Sequence, residues 1–290
     1  MEYADLHVHT TASDGALSPE QMVERARRAG LRALGITDHD TVDGIAGAIA
    51  AGGPAGVEVV PGVEINTGYR SDEVHVLGYY PDLRDRCFLR LLAELRESRH
   101  SRLGVMIEKL KSLGLAVSQE RILEIAGDAA PGRLHVAKAL CEQNLARDVR
   151  EAFSKYLAVG APAYVERAKL DPAGAVEALL EAGAVPVLAH PGLISSPAIV
   201  PDLVERGLMG LEVYYPGHDP GTVVSLLRQA EEYGLLVTGG SDSHGTPEAH
   251  TGEVGSVRVP YEHVEAIRKA RDGIRANGRR YNSTAHPRGG

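Results

Sequence analysis

The chain has 290 residues, 43% hydrophobic and 24% charged, a globular make-up that excludes extended disorder and leaves room for one large domain or two modest ones. Its formal charge of −8 argues against a basic surface for duplex nucleic acid, though not against a small nucleotide in a local pocket. Two distant cysteines, Cys87 and Cys141, no targeting features in "MEYADLHVHT", and no uncharged run near the ~18 residues that span a bilayer lead us to expect a cytoplasmic protein with no membrane partner.

Short apolar runs alternate with helical patterns from the start. "ADLHVHT" reads as a strand, and "SPEQMVERARRAG" as a helix with Ser18 as N-cap, Pro19 at its first position and Gly30 at its end. "RALGITDH", a helix in "VDGIAGAIAAG", then "VEVVPGVEINT" and "EVHVLGYY" continue the series as βα units. From about Leu83 to Leu157 helix follows helix, so residues 83–157 are expected to form a helical insertion subdomain between two parts of a barrel domain, 1–82 and 158–290. Strands resume at "AVPVLAHPG", "GLEVYYPG" and "LLVTGGSDSHG". Seven strand candidates favour an α/β barrel over a doubly wound open sheet, a choice that periodicity alone does not make.

Residues i and i+2 of a strand face the same way, so His7 and His9 can converge on one ion. Alone, such a pair is weak evidence for a metal. Groups of the same kind recur along the chain, however: Asp14 in the first loop, His39, Glu64, His75, His190, and the pair Asp242 and His244. Each taken singly could be a buried polar residue, but jointly six histidines and three carboxylates would be costly to bury without purpose. Nine nitrogen and oxygen ligands without a thiolate exceed one tetrahedral site, which implies two or three divalent ions, Mn²⁺, Zn²⁺ or Fe²⁺. Three such ions, three carboxylates and one hydroxide leave a net charge of about +2, matched to a phosphate dianion.

In order and context, "DLHVHT", "GITDHD", "GVEI", "HVLGY", "LAHPG" and "TGGSDSHG" resemble the motifs of the PHP family, named for polymerase and histidinol phosphatase, over Asp5 to Gly245. The resemblance implies a distorted (β/α)7 TIM-like barrel with a trinuclear metal centre that hydrolyses phosphate esters. It would assign His7, His9, Glu64 and Asp242 to a first ion, Glu64, His75 and His190 to a second with Glu64 bridging, and Asp14, His39 and His244 to a third. Asp14 stands where histidinol-phosphatase-like members have a histidine, which tilts the metal toward Mn²⁺ and the substrate away from histidinol phosphate.

"HTTASDG", "GRLHVAKAL" and "YYPGH" are similar to a subgroup that removes the 3′-phosphate of nucleoside 3′,5′-bisphosphates or degrades short oligonucleotides. On that basis the insert would roof the barrel mouth, and Arg133 and His135 would bind the phosphate that is not cleaved, or simply begin an amphipathic helix. His218 could protonate the leaving oxygen or be a surface-loop residue, and of Tyr214 and Tyr215 only one should face the site. Asp38 and Asp40 could orient ligand imidazoles or cap a turn. The expected activity is phosphomonoester hydrolysis by in-line attack of a metal-bridging hydroxide, with Glu64 central. Alternatives are a 5′-3′ exonuclease or phosphodiesterase acting on short oligonucleotides, a histidinol-phosphatase-like enzyme, and a non-catalytic metal-binding module.

Overall fold

The computed structural model describes residues 2–70, 72–127, 131–165, 170–196, 198–246 and 251–284. β1 (Tyr3–Val8), β2 (Ala33–Ile36) and the first part of β3 (Glu58–Tyr69) run parallel, joined by α1 (Pro19–Arg28) and α2 (Gly44–Ala55). Ser18 starts α1 as the sequence predicts, accepting from the Gln21 amide while Gln21 reaches back to the Ser18 N–H. After β4 (Asp72–Tyr79), β5 (Val185–Leu188), β6 (Gly210–Tyr214) and β7 (Leu236–Gly239) are again parallel to one another. A two-residue strand, β8 (Val259–Pro260), pairs antiparallel with β1 and is too short for periodicity to reveal. The sheet order is β7-β6-β5-β4-β3-β2-β1-β8. Beyond β7 the chain bridges back to β1, Val8 pairing with Ser243 and the His9 amide donating to the Ser243 carbonyl at 2.9 Å, so the sheet is nearly closed into a barrel.

One stretch departs from simple βα repetition. β4 is antiparallel to both β3 and β5. Only a short turn separates Tyr69 from Asp72, far less than the dozen or so residues a parallel crossover requires.

Between β4 and β5, α3 (Arg86–Ser112), α4 (Gln119–Ala126), α5 (Arg133–Glu142) and α6 (Val149–Ala152), continued by a π-helical turn to Leu157, precede α7 (Pro172–Glu181). Leu103, Met106, Leu110, Ile122, Val136, Leu140 and Leu157 make an apolar cluster of their own within this stretch. It touches the barrel through Arg96, whose guanidinium donates to Thr41 Oγ1 at 3.1 Å and Asp43 Oδ2 at 2.6 Å, and through Arg133, paired with Glu73 of β4.

α8 (Ile199–Glu205) and α9 (Pro220–Tyr233) cover β5 and β6 through Leu203, Leu226 and Ala230, packed on Leu188, Leu211 and Val213. The last helix, α10 (Glu262–Thr284), seals the end of the barrel where the parallel strands begin. There Val264 and Ile267 pack with Tyr261 against Ala4, Leu6, Val60, Tyr79 and Val187. Among the described residues no helix is long and apolar enough to cross a membrane.

Candidate metal centre

The functional side chains gather at the opposite rim, where the parallel strands end. Between Asp5 and Val8, β1 advances three residues while β2 advances two, a bulge at the histidine pair. Bulges re-aim side chains in this way. Leu6 faces the apolar cluster under α10 and Val8 the one under α1 and α2, while His7 and His9 bring their Nε2 atoms within 3.1 Å. β6 carries a similar irregularity between Glu212 and Tyr214.

All nine predicted ligands come together. His7 Nε2 lies 3.4 Å from both Glu64 Oε2 and Asp242 Oδ1, and His9 Nε2 lies 3.3 Å and 3.0 Å from the same oxygens. Glu64 also meets His39 Nδ1 and His75 Nδ1 at 2.9 Å and His190 Nε2 at 3.3 Å. Asp14 lies 3.4 Å from His244 Nε2, 3.7 Å from His39 Nε2 and 3.9 Å from His9 Nδ1. His75 reaches the rim differently from the rest. It sits early in the antiparallel β4, opposite Asn66 of β3, so it is strand reversal and not a strand's C-terminal end that brings it there.

Three sets of donor atoms lie within 4.8 Å of one another: His7, His9, Glu64 and Asp242; His9, Asp14, His39 and His244; and His39, Glu64 and His75. The grouping overlaps the one the resemblance implies but is not identical to it. His9 and His39 are each shared between sets, and His190 joins only through Glu64. Metal ions fit these donors. His9 Nδ1, Asp14 Oδ1 and Glu64 Oε2 are buried without a partner of hydrogen-bonding geometry, a costly arrangement that a cation among them would relieve. His7 and His9 are fully buried and Glu64 is 1% exposed, so solvent does not compensate them.

The charges fit as well. Burial opposes ionisation of Asp14, Glu64 and Asp242, yet the facing imidazoles hold all three carboxyls well below their ordinary range. Burial also disfavours charge on His9, but its bonds to Asp242 and Glu64 prevail and lift it to about 10. At His39 burial wins, pulling it down to about 4. Without metal, protons thus occupy part of the space that cations would take.

A second layer holds these groups. Asp38 accepts from the Thr10 amide at 2.6 Å, Thr10 Oγ1 at 2.8 Å and Ser13 Oγ at 2.7 Å, which pins the loop carrying Asp14. Asp40, at φ +52°, accepts from the Asn66 amide at 3.1 Å. Both aspartates therefore fix loops, and Asp40 also accepts from Asn66 Nδ2 at 3.5 Å, beside His39. Three supporting residues, Asn66, Asp5 and Glu212, escape sequence reading, and Tyr215 is the one of the two tyrosines that faces the site. Asn66 Nδ2 lies 3.0 Å from His39 Nδ1, and the Tyr215 hydroxyl donates to Asp242 Oδ2 at 3.1 Å. Asp5 ties β1 to the segment between β7 and β8 by accepting from the amides of Ser241 at 2.8 Å and Gly255 at 2.9 Å. Glu212, fully buried, lies 2.9 Å from His7 Nδ1. An acid inside the apolar run "GLEVYY" was the available signal for it.

The general-acid expectation for His218 does not suit its placement. Its Nδ1 donates to the Val213 carbonyl at 2.9 Å, so its Nε2 is the nitrogen that accepts from the Gly192 amide at 3.1 Å. Both ring nitrogens are thus engaged by backbone in this structure. Arg133 and His135 lie outside the cluster on α5. Arg133 pairs with Glu73, on the same face of β4 as His75, and donates to the Leu157 carbonyl at 3.3 Å; the His135 Nδ1 takes the Gly132 amide at 3.0 Å. The guanidinium is thus near the rim but not an open fork.

Comparison with known proteins gives a consistent picture. The profile of the PHP domain matches residues 5–166. The chain is 34% identical over 245 residues (83% of it, 94% of the relative) to a phosphoribosyl 1,2-cyclic phosphate 1,2-diphosphodiesterase of Eggerthella lenta. It is 34% identical to the 5′-3′ exoribonuclease Rnm of Escherichia coli, covering 83% of this chain and 84% of that one. To the 3′,5′-nucleoside bisphosphate phosphatase of Chromobacterium violaceum it is 30% identical, covering 86% and 89%. Among solved structures, one assigned as a metal-dependent phosphoesterase from Bifidobacterium adolescentis superposes with a TM-score of 0.84 at 30% identity, covering 91% of this chain and 94% of the other.

Proposed function

Since the chain belongs to the PHP domain family and is a hydrolase of phosphoesters, we propose that it removes the 3′-phosphate of a nucleoside 3′,5′-bisphosphate, giving a 5′-nucleotide and phosphate. The observation that carries this reading is the convergence of Glu64 with eight other ligand-type side chains, and a guanidinium, Arg133 of α5, paired with Glu73, two residues along β4 from His75. We assign His7, His9, Asp14, His39, Glu64, His75, His190, Asp242 and His244 to two or three divalent ions, Mn²⁺ by preference because Asp14 puts a hard carboxylate oxygen where histidinol-phosphatase-like members have a histidine. When bound, such ions activate water near neutral pH and neutralise charge on phosphoryl oxygens.

The chain's own residues do the rest. Glu64 touches His7, His9, His39, His75 and His190 and so keeps the sets in register. Arg133 would leave Glu73 for the uncleaved phosphate, exchanging one charged acceptor for another of higher charge. In this reading the helices of residues 83–157 form a subdomain at the barrel mouth. Its separate apolar cluster and its contacts at Thr41, Asp43 and Glu73 support that.

A second reading, trimming of short oligonucleotides from the 5′ end, is favoured by the likeness to Rnm. One batch of pure protein, assayed with Mn²⁺ against adenosine 3′,5′-bisphosphate and a 5′-phosphorylated trinucleotide, separates the two. The proposal expects faster phosphate release from the bisphosphate. A faster release of mononucleotide from the trinucleotide would replace it with the second reading.

A further inference from the structure

We infer that Glu212 is a positioning residue that sets two histidines of the metal cluster from one carboxylate, an inference that rests on the assignment of His7 and His190 as metal ligands. Glu212 lies on β6 and is fully buried. Its Oε1 lies 2.9 Å from His7 Nδ1, and its Oε2 accepts from the His190 amide at 2.8 Å. A carboxylate oxygen can only accept, so Nδ1 is the protonated nitrogen of His7. When a cation displaces the second proton, the Nε2 lone pair is thereby aimed at the cluster, where Glu64 and Asp242 lie 3.4 Å away.

The second bond acts on backbone. His190 adopts φ +30°, a conformation that non-glycine residues rarely take, at the start of the turn Pro191–Leu193. Glu212 holds the amide at the head of this turn, and His218, on the loop after β6, holds the amide of Gly192 inside it. A Cβ at position 192 would come within 2.6 Å of His218 Cδ2, so the turn is fitted closely to that loop. β6 therefore orients a ligand on each side of it in the barrel, His7 by its ring and His190 by its main chain.

Both partners of Glu212 are donors, which makes glutamine a discriminating replacement. Its amide has one accepting end. Turned one way, its NH₂ faces His7 Nδ1 and forces the tautomer that carries a proton on Nε2; turned the other way, it opposes the His190 N–H. In either case one ligand is set wrongly at almost unchanged volume.

The test uses Zn²⁺ as a diamagnetic probe, added to the purified full-length protein after chelation. Glu212→Gln should weaken Zn²⁺ affinity about 10–100-fold in competition with a chelating dye, with an unfolding transition of the metal-free protein close to wild type. In the Zn²⁺-loaded wild type, ¹⁵N NMR of the imidazoles, with His7 assigned through His7→Asn, should show the proton on Nδ1. Wild-type affinity in the glutamine variant would overturn the proposal, as would a His7 protonated at Nε2 in the wild type, a measurement that does not depend on any variant folding. A wild type that binds no Zn²⁺ would remove the metal reading itself, and this inference with it.

Discussion

At Glu64 a single carboxylate meets five imidazoles, a density of contacts no other residue of the cluster shares. Glu64→Ala is expected to lower metal content and to cut turnover by roughly 10²–10³-fold or more, read by elemental analysis beside phosphate release. Asp5 makes a different prediction, because it binds backbone and not the cluster's centre. Burial pushes it up to about 6, against bonds from Gly255 and Ser241 that favour its ionised form. A carboxyl raised on folding contributes most stability below its unfolded value near 4, and the contribution is lost as pH rises through about 6. In chelated protein, the stability difference between wild type and Asp5→Asn should therefore shift against wild type by about 2 kcal/mol from pH 4 to pH 7. Denaturant titrations of both proteins at the two pH values measure it; a pH-independent difference would show that Asp5 titrates normally.

Among the elements, the two ends of the barrel divide the labour. α10 closes one end with side chains such as Ile267, fully buried in an apolar cluster that contains none of the nine ligands. Ile267→Ala should cost about 2–5 kcal/mol in unfolding while leaving metal affinity at its wild-type value. At the other end the seam between β1 and the segment after β7 is drawn tight around a glycine. A Cβ at Gly240 would fall 2.4 Å from both the Cβ and the amide nitrogen of His7. Gly240→Ala should thus cost stability, by more than about 1 kcal/mol, and metal affinity together. Dye competition and thermal unfolding on the same pair of variants test the contrast. Had the sheet been open at this seam, the alanine would be accommodated without loss.

For the whole molecule, the feature that matters is that metal sites are built from mutually charged, buried groups. Carboxylates that lift His9 to about 10 keep protons in the metal-free cluster at neutral pH, and ligands must shed those protons to bind a cation. Apparent metal affinity should accordingly rise as pH increases from 6 to 9, with proton release. Titration calorimetry in buffers of different ionisation enthalpy reads this directly, and an enthalpy independent of buffer would contradict it. Metal loading should also raise the unfolding temperature, since cations bind the folded chain and far less the unfolded one. Chelator should reverse that rise.

Much of this molecule is legible in its sequence, for definite reasons. Helix α1 is announced by Ser18, Pro19 and Gly30 because capping is local chemistry, and the strands before and after it by apolar runs of the right length. The nine ligand-type residues stand out because imidazole and carboxylate are seldom placed in apolar runs without partners. Their convergence could be expected, since strands that share a barrel end at one rim. Other features follow only from tertiary contacts. Antiparallel β4, which turns His75 to the rim, depends on which strands pair. The sharing of His9 and His39 between donor sets depends on distances of a few ångströms. His218 and Gly192 are 26 positions apart, and only their contact shows that the imidazole is engaged by backbone at both nitrogens. Glu212 reads in sequence as one acid in an apolar strand. Sequence thus determined which chemical groups are present and that they must be buried together, because composition and periodicity are local properties. Which nitrogen of each histidine faces the centre was decided by the fold, because a tautomer is set by a partner that can lie 205 residues away.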